Sequence, residues 1–78
     1  MPDGGALVEA PFVSSVWRVD VRPGDRVRAG QPLLALEAMK LETVITAPQD
    51  GSVTDVLVTP GTQVAPGSPL VVLTGSDA

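Results

Sequence analysis

The chain carries the same segment twice, and this constrains its fold more than any other feature. Residues 10–38, APFVSSVWRVDVRPGDRVRAGQPLLALEA, align without a gap on residues 47–75, APQDGSVTDVLVTPGTQVAPGSPLVVLTG, at an offset of 37. Thirteen of the twenty-nine positions are identical, among them Ala10/Ala47, Pro11/Pro48, Val16/Val53, Val21/Val58, Pro23/Pro60, Gly24/Gly61, Val27/Val64, Gly30/Gly67, Leu33/Leu70 and Leu36/Leu73. Repeats of this length are supersecondary units that cannot bury their apolar faces alone, so the two copies must pack on each other.

Each copy reads as strands. SVWRVDV and SVTDVLV alternate apolar residues with others, the period of a half-buried strand. A Pro-Gly pair follows, suited to the centre of a type II turn. A short strand surrounds Val27 or Val64, AGQP or PGSP breaks the chain again, and a last apolar strand begins at Leu33 or Leu70. The spacing predicts an all-β sandwich or small barrel of two pseudo-symmetric halves. The domain is expected at residues 6–74, with flexible ends at 1–5 and 75–78.

Composition removes whole classes of function. Seventy-eight residues make one small domain. With no Cys, His or Tyr, the usual Ser-His-Asp, Cys-His and His-metal arrangements cannot be assembled, so the chain is expected not to be an enzyme by itself. The net charge is −4 with one Trp and one Phe, which argues against a nucleic-acid-binding face. Arg18, Arg22, Arg26 and Arg28 read as a solvated strand face, or alternatively as a patch for an acidic partner. No apolar run can span a bilayer and no signal-peptide pattern opens the chain. A cytoplasmic protein without membrane contact is the expectation.

The segment Glu37–Glu42, EAMKLE, holds the only lysine and lies in a stretch, residues 33–47, free of Gly and Pro. Its residues favour a helix locally. The repeat overrules that preference, because PLLALEA corresponds to PLVVLTG and ETVITAP to GALVEAP. Both arms are strands, and Met39 and Lys40 form a two-residue hairpin loop with Ala38 facing Leu41 and Glu37 facing Glu42. Such loops favour Asn-Gly because both positions tend to need positive φ, and like charges facing each other repel. A place that breaks local rules in an otherwise consistent sequence is a candidate for function. By the 37-residue offset, positions 39–40 correspond to 2–3 and 76–77, which puts Lys40 at the end of the domain remote from both termini.

EAMKLE, flanked by PLLAL and TVITAPQDGSV, closely resembles the biotinyl (biotin carboxyl carrier) domain of biotin-dependent carboxylases, and the resemblance extends over Leu7 to Leu73. It implies a flattened eight-stranded barrel of two related halves. It implies biotin in amide linkage on Lys40, with Ala38, Met39 and Leu41 forming the turn that a biotin protein ligase reads and Glu37 and Glu42 serving as recognition charges. It implies that the lysine amine attacks biotinyl-AMP on the ligase. The arm then takes a carboxyl group at a biotin carboxylase and delivers it at a carboxyltransferase. A monomer is expected in isolation, as a free-standing subunit or an excised domain. Leu41 replaces a second methionine common in the family. Ser14 stands where the first half of the family usually has glycine, which predicts a local backbone adjustment. The gapless repeat leaves no room for a protruding thumb.

Two other readings fit parts of the pattern. A lipoyl domain shares the pseudo-symmetric fold and the hairpin lysine, but the residue before its lysine is typically acidic, and here it is Met39. Adaptors of efflux systems use related half-barrels without modifying a lysine, but a long helical hairpin normally interrupts them.

Overall fold

The computed structural model describes residues 5–75. The alternating segments form eight strands: β1 (Ala6–Glu9), β2 (Ser14–Val19), β3 (Arg26–Val27), β4 (Pro32–Ala38), β5 (Leu41–Thr46), β6 (Gly51–Val56), β7 (Gln63–Val64) and β8 (Pro69–Gly75). No helix occurs among the described residues, so the hairpin expected from the repeat replaces the helix that local propensity favours. Strand β8 ends at Gly75, one residue past the expected domain boundary. The rest of the two ends, 1–4 and 76–78, lies outside the described residues.

Two four-stranded antiparallel sheets result, in the orders β1-β8-β6-β3 and β5-β4-β2-β7. Shifting every strand of one sheet by one repeat, 37 residues, generates the other: β1 becomes β5, β8 becomes β4, β6 becomes β2 and β3 becomes β7. Both halves contribute to both sheets, so neither half is a folding unit. The irregularities repeat as well. The ladder skips a residue between Val16 and Arg18 in one sheet and between Val53 and Asp55 in the other. The sheets pack as a flattened sandwich, and among the described residues no ladder joins them into a closed barrel.

The Pro-Gly pairs do what their chemistry suggests. Gly24 and Gly61 have φ of +99° and +95°, a region in which a side chain is strained and glycine is not. The Asp25 N–H donates to the Arg22 carbonyl at 3.0 Å, and the Thr62 N–H to the Thr59 carbonyl at 3.0 Å. In each turn the fourth residue also reaches back: the Arg22 N–H donates to Asp25 Oδ2 and the Thr59 N–H to Thr62 Oγ1.

The core is built from the repeated apolar positions. Val16/Val53, Val21/Val58, Val27/Val64, Leu33/Leu70, Leu34/Val71 and Leu36/Leu73 are all buried in one cluster. The fold departs from its symmetry at Ser14. Its counterpart Gly51 pairs with Gly75, but the β2–β4 ladder begins one pair later, at Ser15 and Glu37. Ser14 is instead buried, with its hydroxyl donating to the Phe12 carbonyl at 3.1 Å. This is the adjustment expected from a side chain in a glycine position.

Candidate functional site

The β4–β5 hairpin closes in the expected register, with Leu36 opposite Thr43, Glu37 opposite Glu42 and Ala38 opposite Leu41. Leu36, fully buried, is the last side chain of β4 that the core holds. Beyond it the strands run into solvent. Ala38 is half-buried and Glu37, Met39, Lys40, Leu41 and Glu42 are exposed, Met39 to 94% and Leu41 to 71%. Two large apolar side chains thus stand in water beside the lysine, although neither contributes to the fold.

Met39 and Lys40 have φ of +51° and +69°. Two successive left-handed residues are what a two-residue hairpin needs for its twist to match that of the strands. Side chains other than Gly, Asn and Asp adopt this region at a cost. Among the described residues, nothing accepts a hydrogen bond from the Lys40 amine and no carboxylate pairs with it. The amine is a free group on a two-residue post, suited to acylation and to being carried.

The hairpin is also separated from the C-terminal end of the last strand. From the tip, β2 runs back along β4 from Ser15 beside Glu37 to Val19 beside Leu34. The chain then crosses to the other sheet, where the Gly24 N–H donates to the Val53 carbonyl. Val53 pairs with Leu73, and β8 ends two residues on, at Gly75. The path from Lys40 to the C-terminal end of the last strand therefore passes from one sheet to the other.

The two facing carboxylates are not equivalent. Arg18 donates from Nη1 to Glu42 Oε2 at 2.8 Å and from Nε to both carboxylate oxygens of Asp20 at 3.1 and 3.2 Å. Its guanidinium lies 5.2 Å from the centroid of the Trp17 ring. The hydrogen bond to Asp20, with the nearby charges of Asp20 and Glu42, holds the Arg18 pKa above its ordinary value. Glu42 is thus tied to β2, and the repulsion expected between Glu37 and Glu42 is partly offset by a cation. Sequence reasoning missed this role of Arg18, although the register skip that brings it beside β4 had a signal: the valines of VWRVDV stand at 16, 19 and 21, a three-residue step in a two-residue alternation, and the same step recurs at 53, 56 and 58. The arginines do not share one strand face: Arg18 lies on β2, Arg22 follows it in the turn, and Arg26 belongs to β3 in the other sheet.

Residues 1–73 match the family model described as biotin-requiring enzyme. The chain is 51% identical over 41 residues to the biotin carboxyl carrier protein of acetyl-CoA carboxylase from Solanum lycopersicum, covering 53% of this chain and 59% of that protein. It spans less than two thirds of the length of the curated relatives it matches. A solved single-chain, multi-domain long-chain acyl-CoA carboxylase superposes with a TM-score of 0.86 at 38% identity, covering 99% of this chain and 8% of that one. The lipoyl domain of the 2-oxoglutarate dehydrogenase complex from Azotobacter vinelandii superposes with a TM-score of 0.77 at 25% identity, covering 90% and 98%.

Proposed function

Because the chain belongs to the biotin-requiring enzyme family, we propose that it works as a biotin carboxyl carrier domain with biotin in amide linkage on Lys40. The observation that carries the assignment is the hairpin itself. The only lysine of the chain is held at the apex of a two-residue turn, exposed and unpaired, between Met39 and Leu41. These residues fit the group: an amine without an ion-pair partner is open to acylation, and no neighbouring side chain would have to move.

Bound biotin supplies the chemistry of carrying a carboxyl group, and the domain supplies placement. The rigid sandwich carries Lys40 at one end, so the arm can enter a partner's site while the body stays outside. Met39 and Leu41 give a partner apolar surface on both sides of the amine, and Ala38 leaves room for it. Glu37 supplies a free negative charge, and Glu42 one that Arg18 holds in place. The partners are a biotin protein ligase, a biotin carboxylase and a carboxyltransferase. The chain itself is a non-catalytic part of such an assembly.

The lipoyl alternative shares the fold, so the fold cannot choose between them. Met39 before the lysine, and the identity to a biotin carboxyl carrier protein, favour biotin. Mass spectrometry of the chain after co-expression with a biotin protein ligase tests this. One biotinyl group is expected on Lys40, and none on the Lys40→Arg variant, which should keep the same circular dichroism spectrum. Biotin on the Arg variant, or a lipoyl group on Lys40, refutes the assignment.

A further inference from the structure

The fold repeats itself, so each surface position has a counterpart under the same backbone constraints. The register skip in β2 lets Trp17 and Arg18 both face outward, while Val16 points into the core. The skip in β6 does the same for Thr54 and Asp55, after Val53. Bulges of this kind re-aim side chains and recur at functional places. Here the fold uses the bulge twice, so packing alone does not require a tryptophan: threonine fills the equivalent place. Only the copy on the sheet that carries Lys40 holds the single Trp of the chain, 51% exposed.

This Trp has an arginine against it. Arg18 lies over its ring and is itself clamped by Asp20 and Glu42. In the next rows of the same sheet, Arg18 faces Ala35, which is fully buried, and Ala35 faces Val44, which is 42% exposed. Glu42, at the end of the clamp, is two residues from Lys40, about 7 Å along the strand. The side chains that stand out from this face, Trp17 and Arg18 on β2 and Glu42 and Val44 on β5, therefore flank a buried Ala35 and lead toward the acceptor lysine. Half-exposed Trp and Arg are among the residues enriched at protein interfaces and at their hot spots.

We propose that the Trp17–Arg18 bulge and the adjoining face of β4 and β5 form the surface on which the biotin protein ligase docks to modify Lys40. The inference rests on the carrier reading above and extends it. The ligase is the occupant for a physical reason. It meets the carrier before any biotin is attached, so its affinity must come from protein surface beside the lysine. Partners that act later can also bind the arm.

The test is steady-state biotinylation of the unmodified chain by a purified ligase with ATP and biotin, varying the concentration of the chain. Trp17→Ala should raise KM by about tenfold or more with kcat within about twofold. Trp17→Thr installs the residue that the second copy already carries at this place, so it keeps the backbone and should raise KM similarly. Asp55→Ala, on the equivalent bulge of the other sheet, should behave as the wild type. A KM within about twofold of wild type for the folded Trp17→Thr variant overturns the docking surface. So does an equal rise in KM for Asp55→Ala. A wild-type chain that takes no biotin on Lys40 overturns the carrier reading and this inference together; a modified wild type with unaffected Trp17 variants overturns only the inference.

Discussion

The Met39-Lys40 turn should hold strain that a better turn sequence releases. Met39 and Lys40 sit at φ of +51° and +69°, where each L-residue other than Asn or Gly costs about 1–2 kcal/mol. Replacing the pair by Asn-Gly, the preferred sequence for this loop, removes about 2 kcal/mol of strain. Glycine at position 40 returns about 0.5–1 kcal/mol of it through the greater freedom of the unfolded chain. The net gain is about 1 kcal/mol, or about 4–8 °C in Tm for a domain of this size. Differential scanning calorimetry of wild type, Lys40→Ala and Met39→Asn/Lys40→Gly measures it. Lys40→Ala removes the charge and keeps the strain, so it should leave Tm unchanged or slightly lower. If the Asn-Gly variant melts at or below the Lys40→Ala variant, the turn is not strained and the argument is wrong.

Gly51→Ala should be severely destabilising, because a Cβ there would lie 2.2 Å from the Thr74 carbonyl oxygen. A cost of about 3 kcal/mol or more, or failure to fold, is expected in urea denaturation. The Arg18–Glu42 pair is exposed on both sides, so a double-mutant cycle in stability should give only a weak coupling, weaker still at 1 M salt.

Much of the fold could be read from the repeat, because identity at an offset of 37 carries the strands, the turns and their register together. Residues 37–42 show how strong that constraint is. Their own propensity points to a helix, yet the strand partners of PLLALEA and ETVITAP leave room for two loop residues only. The register that followed, Glu37 opposite Glu42, is the observed one. Less visible was whatever depends on tertiary placement. That Arg18 reaches Glu42 requires the register skip after Val16; the three-residue step from Val16 to Val19 marks the skip, but not which side chain meets Glu42. That the sheets leave the barrel open depends on how far β3 and β7, two residues each, extend. Ser14 could be flagged as an exception to the glycine at position 51, and the ladder does begin one pair later there, but the rotation of its hydroxyl onto the Phe12 carbonyl was not in the pattern.

A duplicated fold separates what packing demands from what function adds. Where the two copies agree, as at Val16/Val53, Leu33/Leu70 and Gly24/Gly61, both residues meet the same constraint: burial in the core or a positive φ. Where they differ at equivalent backbone sites, packing has already shown that another residue suffices. Trp17 against Thr54, Arg18 against Asp55 and Val13 against Asp50 are such pairs. Val13 is 71% exposed and precedes the strand that begins beside the Lys40 hairpin, whereas Asp50 accepts a hydrogen bond from the Ala29 N–H at 2.8 Å. The first-copy member of each pair places apolar or cationic surface in the half of the molecule that carries Lys40. Burying exposed apolar surface is favourable only when something covers it, and these differences fall on the face proposed above to meet a partner. On the carrier reading they also account for the strained Met-Lys turn at the apex: a sequence better for the fold would remove the lysine proposed to carry biotin.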